Sequence, residues 1–367
     1  MTSLRSSSTV RNLLACLFLA CTPLVGAEYI GALQCGACHS RQFERQSRSA
    51  HALALSKTVA HPKIGTLEIT HQWPRTPEIA CSFRLAPGGL LATVTDGREN
   101  RQVLLDWAFG AGTQGITFVG KIPGQVYLEF SLSYYTRKHA FGITPGHESI
   151  HPTMVSQALG HPYELYSSSG EILECFQCHS TGAVGVTPDD RIEPGELGVR
   201  CEACHGPGSA HRDAAARGLS KTAATSIQVP GRLSAPELNV FCGRCHRVQA
   251  SGRAPLDLTF SWNVRHQPPY LERSACFRKS SGRLSCLTCH DPHQSAVHGN
   301  PDFYNQKCLG CHKTGPGHGK MARQEGCIDC HMPVVHPSEY MQFRSHWIGI
   351  YSTQQSGTST RFTQPKP

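Results

Sequence analysis

The chain has little of what an ordinary globular interior is built from. Of its 367 residues 39% are hydrophobic and only 8% aromatic. A side-chain core large enough for that length is hard to assemble from such a stock. Past residue 30 no apolar run approaches the ~18 residues of a membrane helix, which excludes a polytopic membrane protein. Lys and Arg are scattered, with no basic run interleaved with aromatics, so a nucleic-acid partner is excluded despite a formal charge of +9. Methionine is scarce: beyond the initiator there are only Met154, Met321, Met332 and Met341. The length allows two domains at most and is several times too great for a small disulfide scaffold. What is abundant is Gly (35), Pro (24), Cys (18) and His (21). The first two mean many turns. The last two point to an interior organised around something other than aliphatic side chains.

The N-terminus reads as an export signal over residues 1–27. Arg5 and Arg11 precede an apolar run from Leu13 to Leu24, and Val25-Gly26-Ala27 supplies small residues before Glu28. A second reading places cleavage and lipid attachment at Cys21, since Leu19-Ala20-Cys21 partly resembles a lipoprotein box, although Phe18 departs from it. Either way the mature protein is expected outside the cytoplasm, periplasmic or at the cell surface. The lipid at Cys21 would be its one membrane anchor.

Seven copies of one pentapeptide account for 14 of the 18 cysteines. They are Cys35-Gly-Ala-Cys38-His39, Cys175-Phe-Gln-Cys178-His179, Cys201-Glu-Ala-Cys204-His205 and Cys242-Gly-Arg-Cys245-His246. Cys286-Leu-Thr-Cys289-His290, Cys308-Leu-Gly-Cys311-His312 and Cys327-Ile-Asp-Cys330-His331 follow. Each is C-x-x-C-H, the attachment pattern of c-type haem, and random order at this composition yields roughly 0.05 copies. Two thiols three positions apart share one turn and can both bond a haem's vinyl groups, while the next imidazole ligates the iron as proximal ligand. Zinc ribbons also use C-x-x-C, but they do not require a His after every second Cys. Seven covalent haem c groups are therefore expected. As large flat aromatic bodies they would supply the missing core.

Seven proximal imidazoles leave 14 of the 21 His. Four Met cannot serve seven irons, so mostly bis-His, low-potential haems are expected. The first candidates for the sixth position are His51, His147, His211 and His293. His211 and His293 lie too close in sequence to the preceding motif to wrap round the same porphyrin, so each is assigned to a neighbouring haem. His266, His336 and His346 are further candidates in Gly/Pro-rich or terminal segments.

Proximal His spacings run 140, 26, 41, 44, 22 and 19 residues. The long gap contains strand-like runs at Thr66–His71, Cys81–Leu85, Leu90–Thr95, Ile116–Lys121 and Val126–Tyr135, separated by turn signals such as Pro87-Gly88-Gly89 and Asp96-Gly97. The expected organisation is a first haem-binding segment (28–60, with a helix over Arg41–Lys57) and a β-rich antiparallel insert (61–140). A six-motif haem domain (141–350) and a flexible tail (351–367) follow. The insert is expected to be dispensable for haem loading downstream. Cys81 and Cys276 remain, and their pairing is left open.

The chain resembles the multihaem cytochromes c of the cytochrome c-554 (c-552/4) type, related to the hydroxylamine-oxidoreductase group. The resemblance rests on Tyr29-Ile-Gly-Ala…Cys35-Gly-Ala-Cys38-His39 with Ser49-Ala-His51, and above all on Gly198-Val-Arg-Cys201-Glu-Ala-Cys204-His205-Gly-Pro-Gly-Ser-Ala-His211. Cys286-Leu-Thr-Cys289-His290-Asp-Pro-His293, Cys327-Ile-Asp-Cys330-His331-Met-Pro, Ser133-Tyr-Tyr135 and Pro145-Gly-His147 complete it. It implies a multihaem cytochrome c fold, mainly α with much irregular structure around stacked haems, plus the small antiparallel β insert. It also implies single-electron transfer between redox partners: cytochromes, quinol-oxidising complexes or terminal reductases. Seven motifs exceed those of the tetrahaem members, so their ligand pairing does not carry over wholesale. No C-x-x-C-K is present, which removes the signature of pentahaem nitrite reductases.

The basic charge is misleading as a guide to partners. Losing Arg5 and Arg11 leaves +7 of the formal +9. About 14 haem propionates against about seven ferric cores bring the oxidised holoprotein near neutral. Whether the protein is an enzyme is left undecided, leaning to a carrier, and no catalytic residue is identified. The alternative is a multihaem oxidoreductase acting on a small nitrogen or sulfur compound at one open-coordinate haem.

Overall fold

The computed structural model describes residues 27–168, 170–247, 256–312 and 326–351, with 358, 359, 361 and 363–365. Residues 1–26, which hold Cys21 and nearly all of the expected export signal, together with Met321 and most of the tail, lie outside the described residues. Helix accounts for 33% and strand for 25%, so the mainly α expectation is not confirmed.

Strands fill the long gap between the first two motifs. They are β1 (Leu55–Lys57), β2 (Trp73–Pro74), β3 (Ala80–Ala86), β4 (Gly89–Thr95), β5 (Asn100–Leu105), β6 (Trp107–Phe109), β7 (Gly115–Ile122), β8 (Val126–Phe130), β9 (Leu132–Tyr135), β10 (Ala140–Ile143) and β11 (Gly160–Glu164). β2-β3-β4-β5 form one antiparallel sheet, and β1-β6-β7-β8-β11 the spine of a second, to which β9 and β10 attach through β7. Alternation along β4 buries Leu90, Ala92 and Val94, and these meet Phe83, Phe118, Phe130 and Phe141 in the first core. Tertiary pairing displaces several sequence expectations. The helix expected over Arg41–Lys57 ends at Ser47, because Ser49 Oγ accepts from Ala52 N to form a turn and Leu55–Lys57 pairs with Trp107–Phe109. Thr66–His71 is not a strand. Val126–Tyr135 is broken at Ser131, whose backbone N–H and hydroxyl turn aside to the Leu159 and Ala158 carbonyls. The pairings of β1 with β6 and of β11 with β8 lie partly outside 61–140.

The helices are short and carry the cysteine motifs. They are α1 (Ala32–Gly36), α2 (Ser40–Ser47), α3 (Val155–Ala158), α4 (Glu171–His179), α5 (Cys201–His205), α6 (Ser209–Ala216), α7 (Ser220–Thr225) and α8 (Ala235–His246). α9 (Gln267–Arg273), α10 (Ala275–Lys279), α11 (Cys286–Cys289), α12 (Pro301–Leu309) and α13 (Cys327–His331) follow. α8 opens on a capping box between Ser234 and Glu237, with Pro236 in its first turn. A hairpin, β12 (Ser180–Val186) with β13 (Ile192–Leu197), joins α4 to α5.

A second core ties the sheet to α4. Ile172 and Phe176, one turn apart, are buried against Trp107, Phe109 and Tyr127. The strands of the long gap are therefore the floor under the second motif, which the expectation of a dispensable insert does not allow for. Among the largest fully buried side chains of the described residues, Tyr270 alone follows residue 180.

Candidate functional site

Each C-x-x-C-H closes as one helical turn. The His N–H reaches the first Cys carbonyl at 2.9 Å in His39→Cys35 and His312→Cys308, and at 3.0 Å in His290→Cys286. That turn sets both thiols of a motif on one side and lets the imidazole emerge beside them. Every described cysteine is free.

Chain folding then brings imidazoles from distant segments close to one another. His39 stands opposite His211 with ring centres 6.2 Å apart, and His205 opposite His293 at 6.2 Å, the latter pair only 8° from parallel. His246 faces His51 at 6.1 Å, and His290 faces His346 at 6.2 Å. Two imidazoles trans on one metal have ring centres about 6.2 Å apart, from a bond of about 2.0 Å and about 1.1 Å from nitrogen to ring centre on each side. The four gaps have that width, so the residues fit a haem iron held between them.

The outer hydrogen bonds suit the same purpose. Nδ1–H donates to a backbone carbonyl in His179 (Ala54, 2.9 Å), His205 (Gln228, 2.8 Å), His211 (Ala223, 2.8 Å), His331 (Gly349, 2.8 Å) and His346 (Arg344, 3.1 Å). That leaves Nε2 with its lone pair for a metal and orients the ring. Burial holds His51, His179, His246 and His290 below the usual imidazole range, and pushes His346 down to about 4. A neutral ring is the ligating form.

Thiols of different motifs also meet. Cys35 hydrogen-bonds Cys201, Cys178 bonds Cys245, Cys242 bonds Cys286, and Cys308 bonds Cys327. Cys204 lies within electrostatic reach of Cys242, and Cys308 of Cys289. Cys81 and Cys276 do not pair. Cys81 sits in the first core, its thiol pushed up to about 12 by burial, while Cys276 borders Cys289 and Cys311 in the other half.

Three candidates are not brought opposite a proximal ring among the described residues. His147 points Nε2 at Glu129 Oε2 (3.2 Å) and neighbours His161, because Thr144 and its turn hold it against β8. His266 is buried at the N-cap of α9, and His336 lies near the tail, its carbonyl accepting from Ser359. His312 adjoins residues 313–325, which lie outside the described residues. Sequence reasoning missed Glu202, a buried carboxylate between the third motif's cysteines. It accepts the N–H groups of Ile30, Gly31 and Gly208, pinning the N-terminal segment to α5. It also missed Gly198, whose φ of +77° lies in the left-handed region. A β-carbon there would collide with the Ala52 carbonyl, while Val199 N–H donates to His51 O at 2.8 Å.

Residues 136–206, which include the second and third motifs, match the family model described as cytochrome c554 and c-prime. No curated protein matches. A solved structure titled Crystal Structure of Outer Cell Wall Cytochrome OcwA is similar at 16% identity and a TM-score of 0.49, over 87% of this chain and 79% of that one. Over that matched segment the chain is similar to the cytochrome c554 family.

Proposed function

We propose that this chain is an exported electron carrier holding seven haem c groups, mostly bis-His, and passing single electrons between redox proteins. The observation that carries the reading is the set of four imidazole pairs 6.1–6.2 Å apart, each joining a motif His to a His from elsewhere in the chain. Bound haem supplies the one-electron iron couple. The chain's residues do the rest: thioether cysteines hold each macrocycle, paired imidazoles resist ligand exchange, and Nδ1 hydrogen bonds keep the rings oriented. The thiol contacts support an order in space of motifs 1–3–4–5–6–7, numbered along the chain, with motif 2 branching from motif 4. Export is supported by the N-terminal signal and by the need to attach haem to reduced thiols outside the cytoplasm. Cytochromes, quinol-oxidising complexes or terminal reductases are the partners proposed.

Intact mass of the purified protein tests the cofactor count, with seven covalent haems expected on a chain beginning near Glu28; zinc in their place would refute the reading. Paramagnetic resonance of His346→Ala tests the pairing. One low-spin signal should be lost, and an unchanged spectrum would dismiss the axial role of His346.

A further inference from the structure

His61 is not among the imidazoles that pair above, yet it is 2% exposed and fully committed to hydrogen bonds. Its N–H donates to the Thr58 carbonyl at 3.2 Å, and its own carbonyl accepts from Ile64 N–H at 2.9 Å. In the ring, Nδ1 accepts the Lys63 N–H at 3.1 Å, and Nε2 lies 3.0 Å from the Gly110 carbonyl. A backbone N–H only donates and a carbonyl only accepts, so the ring is neutral with its proton on Nε2. Burial, the largest influence on it, agrees by holding His61 below the usual imidazole range.

Gly110 passes the contact on through its own backbone. Its N–H donates to the Ala54 carbonyl at 2.8 Å, and that same oxygen accepts Nδ1–H of His179 at 2.9 Å. An unbroken run of hydrogen bonds therefore leads from Lys63 through His61, Gly110 and Ala54 to the proximal imidazole of motif 2. The backbone at Gly110 admits no other residue. Its φ is +99°, and a β-carbon there would lie 2.8 Å from the Gly115 carbonyl oxygen. Phe109, just before it, pairs with Leu55 in the sheet and packs edge-on against His179 at 5.2 Å. Residues 54–55 and 109–110 thus form the bed on which His179 lies, and His61 holds the far edge of that bed.

We propose that His61 is a positioning residue for the haem of motif 2: by holding Gly110 it fixes the Ala54 carbonyl against His179 Nδ1, and so keeps that haem's potential low. The inference rests on the proposed haem at Cys175 and Cys178. A hydrogen bond from Nδ1–H to a well-placed carbonyl makes an imidazole a stronger donor to iron, which favours the ferric state. His61 does not bond His179 itself. It acts at a distance of two residues, through the backbone of Gly110 and the carbonyl of Ala54.

The test is a redox titration of the full holoprotein, followed optically and by paramagnetic resonance, in two variants that differ by one methylene. His61→Gln places an amide N–H where Nε2 stands and reaches Gly110; His61→Asn stops at the position of Nδ1 and serves Lys63 alone. His61→Asn is expected to raise one midpoint potential and leave the others in place, while His61→Gln keeps the native set. Native potentials in His61→Asn would overturn the proposal, as would equal shifts in both variants or a shift spread over many haems, which marks general loosening. Nitrogen-15 resonance of the reduced native protein needs no variant to fold: a proton on Nε2 of His61 is expected, and one on Nδ1, or on both, refutes the bond to Gly110. Peptide mapping separates the failures. Haem on Cys175 and Cys178 without a shift in His61→Asn refutes the role of His61 alone, whereas absence of haem there refutes the cofactor reading at that motif.

Discussion

Residues 55–165 and residues 200–351 are built on opposite plans. The first region buries Phe, Tyr, Leu and Val between two sheets and against α4. Among the described residues of the second, the buried hydrophobics are fewer: Ala214, Ala223, Ala235, Leu238, Leu271 and Ile328, with a modest cluster around Val264, Tyr270 and Val335. Its helices are short, and one or two turns are not stable alone. What the second region has instead is cysteines and facing imidazoles. The difference teaches that a haem-dense segment does not need a side-chain core, provided that the cofactor occupies the middle.

That contrast can be broken most drastically by withholding haem. Chain expressed without haem attachment should keep slow amide exchange over β3, β4, β7 and β8, while α5 to α13 exchange fast. Equal protection of both regions would show that the second has a core of its own. The next largest effect is expected at the seam. Phe176→Ala should cost about 3–5 kcal/mol in denaturant unfolding, since it empties the contact of Trp107, Phe109 and Tyr127 with α4. A loss under about 1 kcal/mol would mean that the sheet does not support the second motif. Glu202→Ala leaves three backbone N–H groups without their acceptor and should cost about 1–3 kcal/mol, with a smaller loss for Glu202→Gln. If the two variants are equally stable, the carboxylate is not what holds Ile30 and Gly31. The smallest effect is reserved for His336→Ala, which should leave every low-spin signal in place; loss of one would restore it as a ligand.

Much of the chemistry was legible because it is local. A C-x-x-C-H motif needs five consecutive residues and one turn, so its role as a haem-attachment pattern can be read wherever it occurs. The strands at Cys81–Leu85 and Leu90–Thr95 were legible for a similar reason, since alternation and the Pro87-Gly88-Gly89 turn lie within one hairpin. The helix expected to run to Lys57 shows the limit. Its last residues had helical periodicity but were claimed by Trp107–Phe109, about fifty positions away, and pairing with a strand outweighs weak local propensity. His346 ranked low because nothing near it in sequence speaks for ligation, yet it stands opposite His290. His147 ranked high on local resemblance and went to Glu129.

The sequence by itself determined the cysteine motifs, the shortage of aliphatic core, the hairpins of the long gap and the stock of imidazoles from which partners are drawn. Tertiary structure alone decided which imidazole faces which, which thiols adjoin, and that His61 and His179 are joined through Gly110 and Ala54. The reason is physical. A turn or a hairpin is closed by contacts a few residues apart, whereas a gap of 6.2 Å between His39 and His211 is the outcome of every packing and backbone hydrogen bond between them.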